Sequence, residues 1–579
     1  MMKELKSCIG KYKLPSVLTS LFVALEVVME VLIPFFMSNI IDKGINKNDL
    51  GYIVKFGGVL VIFTLMSLAF GALSGKNAAV ASVGFAKNLR KKMFDNVQDF
   101  SFTEIDKYSP SGIVTRLTTD VTNMQNAYQM IIRIAVRCPF MLIFSLFMAL
   151  RINARLSSVF LGTLPILGIG LYIIIHRAHP AFEWVFKTYD KLNGVVSENL
   201  RGIRVVKSFV SEEHEKEKFN SISDMIYKKF SFAEKVLAFN APLMQFSMYT
   251  CMLVISWFGA QIIVNTHETA MTTGQLTSLF SYIMQILMSL MMLSMVFVMI
   301  ILSRASAERI TEIITQKSSV TDCENPVKGM KDGSIVFDNV SFSYKKNGKT
   351  CLKNINLNIK SGMSVGIIGT TGSGKSSLVS LIPRLYDVNE GSVSVGGTDV
   401  RKYDIEYLRN NVAMVLQKNV LFSGTVRDNL KWGDKNATDE EIWDACKLAQ
   451  AYDFVNEFPD KLDTVIEQGG SNVSGGQRQR LCIARAILKK PKVIIMDDST
   501  SAVDTKTDAL IRRSMAELMP GTTKIIIAQR ISSVENSDMI IVMDNGAVAD
   551  IGTHDELIKT SEIYKEVYNS QVKGGGEDA

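Results

Sequence analysis

Long apolar stretches separated by charged segments fill the first half of the chain, and the second half has only short apolar runs. Six of the long stretches are near or above the roughly 20 residues that a membrane-spanning helix needs. They are Leu14–Ile41, Tyr52–Leu73, Ile131–Leu150, Leu156–Ile175, Leu243–Val264 and Leu276–Leu302. The pattern predicts an all-α membrane domain of six helices, with both of its ends on one side of the bilayer.

The second half has the pattern of an α/β domain. Its strand-like runs are separated by helical patterns, an alternation typical of a largely parallel sheet with helices on its faces. The runs are Ser334–Phe337, Ser364–Ile368, Val412–Leu416, Val493–Met496 and Lys524–Ala528. We therefore expect a membrane domain over residues 1–316, a polar linker over 317–333, an α/β domain over 334–573 and a disordered tail over 574–579.

Basic residues orient the membrane domain. The long segments after the second and fourth apolar runs are rich in Lys and Arg, whereas the three opposite loops carry few of them. This bias predicts that the long loops and both termini are cytoplasmic, and it explains the net charge of +7 without a nucleic acid partner. Short turning pieces in the two long loops, near Thr115–Asp120 and Glu198–Val206, are expected to contact another domain.

Cysteine usage excludes two further classes of site. The seven cysteines are scattered and have no CxxC or other paired spacing, so the sequence predicts neither a disulfide framework nor a zinc site.

A glycine-rich loop joins the predicted strand Val365–Ile368 to an apolar helix. Its glycines allow backbone N–H groups to surround phosphate oxygens, while Lys375 reaches the outer phosphates and Ser376 can ligate Mg²⁺. This pattern predicts an ATP-binding P-loop domain. The ATP-binding candidates in the loop are Gly369, Thr370, Thr371, Gly372, Ser373, Gly374, Lys375, Ser376 and the adjacent Ser377.

A second element of the nucleotide site is the apolar run Val493–Asp497, which ends in a carboxylate. A buried strand that opens onto a ligand crevice at its carboxyl end has this pattern. We expect Asp497 to hold Mg²⁺ through water. In isolation the same run would be interpreted as a core strand with an ordinary capping aspartate.

The stretch Val473–Arg480, with the sequence VSGGQRQR, is the most specific motif of the chain. Together with the P-loop it resembles the ATP-binding cassette (ABC) transporters, and specifically the exporter half-transporters that fuse six membrane helices to one nucleotide-binding domain. The match departs from the family signature only in having Val in place of Leu. The resemblance implies that this motif contacts the γ-phosphate held by the opposite nucleotide-binding domain. Its residues are Val473, Ser474, Gly475, Gly476 and Gln477.

The resemblance assigns roles to further positions. It implies that Tyr344 stacks on adenine, that Gln417 ligates Mg²⁺ and senses the membrane domain, and that two turning pieces act as coupling helices. It also implies a loop that crosses the dimer interface, formed by Ser501, Ala502, Val503 and Asp504.

Two catalytic positions differ from the family pattern. The family has a glutamate after the aspartate that ends the apolar strand, and a switch histidine later in the chain; here these positions are Asp498 and Gln529. No histidine lies between His267 and His554, so no local replacement exists. The resemblance implies a site that binds ATP and hydrolyses it slowly.

Loss of these cis-acting groups, with the trans-acting signature kept, favours a heterodimer with a second half-transporter that carries the glutamate and the histidine. The alternatives are a slow homodimeric exporter of lipids or peptides and a regulator that transports nothing. The expected location is the inner (plasma) membrane of a bacterium.

The membrane helices suggest where a substrate binds. Unbranched, polarizable side chains at helical spacing suit a pocket for varied hydrophobic or amphiphilic small molecules, as in multidrug exporters, but methionine is also ordinary packing material. Ionisable groups at membrane depth face water or each other, so acidic residues here either line a cavity, which would favour cationic amphiphiles, or form structural pairs. The cavity candidates are Glu26, Glu30, Met284, Met288, Met292 and Met295.

Overall fold

A computed structural model of the chain describes residues 2–345, 348–498 and 503–574. The chain divides into two compact units. The membrane unit comprises Pro110–Gln316 and the chain before Asp99, and the nucleotide unit comprises Asp99–Ser109 and the chain after Gln316. The segment Asp99–Ser109, which the sequence placed with the membrane domain, therefore packs with the second unit.

Helices, joined by short turns, build the described chain from residue 2 to Gln316. They are α1 (Met2–Ser7), α2 (Lys13–Asn39), α3 (Leu50–Gln98), α4 (Phe102–Tyr108), α5 (Pro110–Thr115), α6 (Val121–Ile152), α7 (Ala154–Arg201), α8 (Ile203–Ser208), α9 (Glu212–Ala238), α10 (Asn240–Thr266) and α11 (Thr273–Thr315). Of these, α4 lies in the nucleotide unit. The prediction of an all-helical membrane domain is confirmed.

Five helical stretches of the described chain are long and apolar enough to cross a membrane: Gly10–Ile45, Leu50–Gln98, Pro110–Ile152, Glu212–Thr266 and Thr273–Thr315. The fourth predicted span, Leu156–Ile175, lies in the first part of α7. At about 1.5 Å per residue, the 49 residues of α3 and the 48 of α7 exceed a hydrocarbon core of about 30 Å. These helices therefore extend well beyond the bilayer.

The turn of the first long loop is not where the sequence analysis placed it. Thr115–Asp120 lies within a continuous helical stretch, in which a π-helical turn, Arg116–Asp120, joins α5 to α6. Asp120 is buried and accepts hydrogen bonds from Arg309 of α11 at 2.5 and 2.7 Å. The chain reverses instead at Asp99–Ser109. The second piece, Glu198–Val206, does span the reversal from α7 through α8 into α9.

Local chemistry explains the position of this first turn. Ser101 and Glu104 form a capping box at the start of α4, which satisfies backbone N–H groups that the helix leaves free. Glu104 is buried and also accepts a hydrogen bond from the Ser319 backbone N–H at 3.3 Å. Burial opposes the ionisation of Glu104, but these hydrogen bonds outweigh it and lower the pKa of Glu104. The capping box therefore ties α4 to the start of the nucleotide unit.

Twelve strands lie in the described part of the nucleotide unit: β1 (Ile335–Phe342), β2 (Leu352–Ile359), β3 (Ser364–Gly369), β4 (Glu390–Val395), β5 (Thr398–Asp399), β6 (Val412–Val415), β7 (Gly424–Thr425), β8 (Val465–Ile466), β9 (Val493–Asp497), β10 (Thr523–Ile527), β11 (Met539–Asp544) and β12 (Ala547–Gly552). Its later helices are α12 (Lys375–Ser380), α13 (Ile405–Asn411), α14 (Val426–Leu430), α15 (Asp439–Leu448), α16 (Tyr452–Glu457), α17 (Gly475–Leu488), α18 (Thr505–Leu518), α19 (His554–Thr560) and α20 (Glu562–Gly574).

The strands form a six-stranded sheet in the order β12-β11-β3-β10-β9-β6, a four-stranded sheet β2-β1-β4-β5 and the small pair β7-β8. In the large sheet only β12 runs antiparallel to its neighbour. Every residue of β9 and β10 is buried, as expected for central parallel strands covered on both faces. The prediction of an α/β domain is confirmed.

The Asp120–Arg309 pair gives a test of the membrane unit. Asp120→Asn keeps the size of the side chain but replaces the carboxylate that accepts two hydrogen bonds from Arg309 with a neutral amide. Because Asp120 is only 1% exposed and Arg309 is about half exposed, we expect a loss of about 1–3 kcal/mol of stability and a fall in Tm of about 2–6 °C in detergent.

The matched control for this variant is Glu308→Gln, which removes an exposed ion pair with Arg304 on the same helix and should leave Tm nearly unchanged. Equal Tm values for the two variants would contradict a stabilising role for the buried pair.

Candidate functional site

The loop between β3 and α12 requires glycine at its last position. Gly374 has φ +96°, and a Cβ there would lie 2.9 Å from Leu352 Cδ2 and 3.0 Å from the Cys351 carbonyl oxygen. A side chain at this position would strain the backbone and collide with its neighbours. The loop therefore keeps a close backbone path, which leaves N–H groups free to face an anion.

Lys375 is held inside this loop. Its Nζ donates hydrogen bonds to the carbonyl oxygens of Gly369 at 2.8 Å and Thr370 at 2.9 Å. Burial lowers the pKa of Lys375, while the carboxylates of Asp497 and Asp498 act in the opposite direction. The buried Ser373 Oγ has no hydrogen-bond partner among the described residues. A loop with a cation and an unsatisfied buried hydroxyl suits a polyphosphate ligand.

Ser376, at the start of α12, is hydrogen-bonded to Asp497, the last residue of β9. Ser376 Oγ donates to Asp497 Oδ1 at 3.0 Å, and Asp497 is 5% exposed at the end of β9. Burial raises the pKa of Asp497, Asp498 adds to the rise, and Ser376 and Lys375 oppose it. A hydroxyl and a carboxylate at this distance are ligands of the kind that Mg²⁺ prefers.

The third metal candidate lies a short distance away. Gln417 follows β6, and its Nε2 is 3.4 Å from Asp498 Oδ2. The structure thus places Ser376 and Asp497 together and Gln417 beside the neighbouring carboxylate.

The two altered catalytic positions contact each other. Gln529 Nε2 donates to Asp498 Oδ2 at 2.8 Å, much closer than the 3.4 Å contact from Gln417. Asp498 has φ +48°, and its backbone N–H donates to the Ile527 carbonyl at 3.0 Å, so its backbone is held against β10. Asp498 Oδ2 is thus within reach of two neutral amide groups, those of Gln529 and Gln417.

Gln571, from the C-terminal helix α20, is a member of this site that the sequence analysis missed. Its Nε2 donates to the Gln529 carbonyl at 2.7 Å, and its Oε1 accepts from the Ile531 N–H at 2.8 Å. The side chain thus bridges both sides of the segment that carries Gln529. It belongs to no motif and lies 42 residues from its partner, so only the fold could reveal it.

The signature motif begins α17. Ser474 is the N-cap: its Oγ accepts from the Gln477 N–H at 3.2 Å, and its own N–H donates to Gln477 Oε1 at 2.9 Å. Within the motif, Val473 is buried, whereas Ser474 and Gly475 are exposed. The motif is therefore rigidly built and open to an approaching partner, at the positively polarised end of a 14-residue helix.

Tyr344 has a defined setting beside the P-loop. Its hydroxyl shares a 2.8 Å hydrogen bond with Ser377 Oγ, and its ring meets the ring of Tyr386 edge to face at 5.1 Å. The Tyr386 hydroxyl donates to Asp106 of α4 at 2.9 Å. Burial, with Asp106 beside it, raises the pKa of Tyr386. The sequence analysis did not find Tyr386 or Asp106, because neither lies in a nucleotide motif.

Part of the predicted interface loop can be described. Ser501 and Ala502 lie outside the described residues, Val503 is buried, and Asp504 is the N-cap of α18, where it accepts from the Thr507 N–H at 2.9 Å.

In the membrane unit, the two predicted glutamates pair with an arginine. Arg137 of α6 donates to Glu26 Oε1 at 2.5 Å and to Glu30 Oε2 at 2.6 Å. This is the pairing that the sequence analysis gave as the alternative to a cavity. The four methionine candidates of α11 are exposed on the surface of the single chain: Met284, Met288, Met292 and Met295.

Each half of the chain matches a known protein family. Residues 17–291 match the family described as the ABC transporter transmembrane region, and residues 352–501 match the family described as ABC transporter. The chain is 33% identical over 578 residues to the uncharacterized ABC transporter ATP-binding protein YfiB of Bacillus subtilis (strain 168), covering 100% of both. It is 35% identical over 549 residues to the uncharacterized ABC transporter ATP-binding protein Rv1273c of Mycobacterium tuberculosis, covering 93% of each.

The structure of a bacterial Atm1-family ABC exporter with ATP bound aligns with 98% of this chain and 100% of that chain. The TM-score is 0.84 at 23% sequence identity, so the two share a fold.

The contact between Asp106 and Tyr386 gives a test of how α4 is held. Asp106→Ala removes the acceptor of the Tyr386 hydroxyl, and a hydrogen bond to a carboxylate contributes about 1.5–3 kcal/mol. We expect the backbone amides of Phe102–Tyr108 to exchange hydrogen at least about tenfold faster, measured by mass spectrometry on the full chain.

The control for this test is Asp95→Ala, which removes an exposed carboxylate of α3. If α4 exchanged at the same rate in both variants, the Asp106–Tyr386 hydrogen bond would have no role in docking α4.

Proposed function

Because the chain belongs to the ABC transporter family, we propose that it is the degenerate-site subunit of a heterodimeric exporter of hydrophobic or amphiphilic small molecules. ABC exporters are ATP-driven and act as dimers in a membrane, and this chain has the membrane and nucleotide-binding parts of one. The observation that carries the proposal is the 2.8 Å hydrogen bond from Gln529 to Asp498, at the two positions where the family has histidine and glutamate.

In the proposed mechanism this chain binds ATP firmly and hydrolyses it slowly. Lys375 and the P-loop amides would hold the phosphates, and Ser376 and Asp497 would hold Mg²⁺, which supplies charge neutralisation when it is bound. Asp498 is one methylene shorter than glutamate, and a misplacement of about 1 Å can cost about a hundredfold in rate. The amide of Gln529 cannot become cationic to balance transition-state charge.

The same chain would complete the partner's site. Ser474 and Gly475 are exposed at the start of α17, and they would contact the γ-phosphate held by the partner's P-loop. Hydrolysis would then occur mainly where the partner supplies its own glutamate and histidine. ATP binding at both sites would close the nucleotide-binding domains, and hydrolysis at the partner's site would reset them.

The Lys and Arg bias supports a cytoplasmic nucleotide-binding domain and cytoplasmic termini, and the proposed location of the membrane domain is the inner membrane of a bacterium. The exposed methionines of α11 suit apolar substrates of varied shape.

Repairing the two altered positions tests the cis assignment. In the complex with its partner, Asp498→Glu together with Gln529→His should raise ATPase activity, because a longer carboxylate reaches the attacking water and an imidazole balances charge. To isolate this site, the measurement is made with the partner's own glutamate replaced by glutamine. In that background we expect the double variant to raise the ATP turnover by about tenfold or more.

The two single variants are the matched controls, and each should recover less than the pair. An unchanged rate in the double variant would contradict the cis assignment. Slow but measurable ATPase activity of the purified chain alone would instead favour the homodimeric alternative.

The signature motif can be tested separately. Ser474→Arg places a long cation where the partner's nucleotide would dock, so the ATPase activity of the complex should fall at least about a hundredfold. Binding of ATP to this chain's own P-loop should be unchanged, as measured with a fluorescent ATP analogue. Ser471→Arg, on an exposed residue just before the motif, serves as the control. Full activity of the Ser474→Arg complex would exclude a role for this motif in trans.

A further inference from the structure

A cluster of one arginine and two glutamates lies inside the membrane unit. Arg137 Nη1 donates to Glu26 Oε1 at 2.5 Å, and Arg137 Nη2 donates to Glu30 Oε1 and Oε2 at 2.8 and 2.6 Å. Glu26 lies 13 residues from either end of α2, so it is about 20 Å along the axis from both and near the middle of the bilayer. Ionisable groups are costly at that depth and indicate a functional site.

The cluster is not electrically balanced. Two carboxylates share one guanidinium, which leaves one negative charge when all three are ionised. Arg133, one helical turn before Arg137, forms no ion pair with either glutamate in the described chain; its Nη1 lies near Gly75 of α3 instead. The further described partner of Glu30, Gln285 of α11, is neutral.

One acceptor atom of the cluster is unused. Glu26 is 7% exposed, and its Oε2 is buried without a hydrogen-bond partner in the described residues. The carboxylate lies against the backbone of α3 at Gly71, where a Cβ would be 3.2 Å from Oε1 and 3.6 Å from Oε2. A buried acceptor left unpaired is destabilising, and a ligand that carries a positively charged donor would satisfy it.

The methionine-rich helix α11 packs beside the cluster at Glu30. Gln285 Nε2 of α11 lies 3.4 Å from the backbone oxygen of Glu30, and Tyr282 donates to the Val31 oxygen at 2.9 Å, so α11 packs along this part of α2. Met288 and Met292 follow Gln285 on the same side of α11, at spacings of three and seven residues, and both are exposed. Glu30 and Arg137 are each about one quarter exposed. Charged groups and flexible apolar side chains thus adjoin on neighbouring helices.

We propose that Glu26 and Glu30, held in place by Arg137, bind one monovalent organic cation, with Glu26 Oε2 as its acceptor and its apolar body along Met288 and Met292. This inference rests on the proposed export function and names its substrate class as lipophilic amines. A bound ammonium group neutralises the excess charge and satisfies the orphaned oxygen. An inorganic cation such as Na⁺ has the same charge, but it would make no use of the adjoining apolar helix.

The experiment measures binding, not transport, in the full chain held in nanodiscs of zwitterionic lipid. The probe is a dansyl-labelled decylamine, and the neutral comparison is its decanol counterpart, each corrected for binding to empty nanodiscs. We expect the amine to bind at least about tenfold more tightly than the alcohol, and we expect Glu26→Gln to remove that preference. Glu26→Asp, which keeps the charge, should retain most of it.

Glu308→Gln, which removes an exposed carboxylate of α11, is the control and should bind the amine as the parent does. Equal preference in the Glu26→Gln variant and the parent would overturn the site, as would displacement of the amine by equimolar Na⁺. Binding of a fluorescent ATP analogue is measured on every sample, so a variant that has lost its fold is recognised. Loss of the cation site would leave the ATPase tests of the two nucleotide sites untouched, so the two proposals fail separately.

Discussion

The nucleotide site depends on one central strand, β10, which is hydrogen-bonded to two parallel neighbours at once. Ile527 lies opposite Ile367 of β3 on one side and Asp497 of β9 on the other. This double register brings the P-loop, the metal carboxylate and the segment that carries Gln529 to one edge of the sheet. A slip of one residue would turn every side chain of β10 to the opposite face, so the apolar pattern of the strands fixes the position of the polar groups beyond them.

The central parts of the site could be predicted from the sequence because each is encoded locally. The P-loop is a run of glycines between a strand and a helix, and the signature motif carries its own capping box of Ser474 and Gln477. Parallel strands that end in polar residues place those residues at a shared edge. Pairs that come together only in the fold could not be predicted in this way. Gln571 reaches Gln529 from the last helix, and Arg137 reaches Glu26 from another membrane helix.

The turn of the first long loop shows how a local signal can be overlooked. Ser101 and Glu104 have the spacing of a capping box, and Pro110 starts the next helix, so the sequence does mark Asp99–Ser109 as the break between helices. The turn was expected instead at the polar stretch Thr115–Asp120. That stretch stays helical because its polar side chains have partners within the membrane unit, chiefly Arg309 for Asp120.

Because helix α4 belongs to the nucleotide unit, it limits how chimeras of two such chains can be built. The helix lies early in the sequence, yet it is joined to Ser319 through Glu104 and to Tyr386 through Asp106. A chimera spliced after residue 316 would give α4 a foreign surface, on which Glu104 and Asp106 would lack their partners. Exchange of the nucleotide-binding half therefore requires three junctions, after residues 98, 109 and 316, so that Asp99–Ser109 is transferred with it.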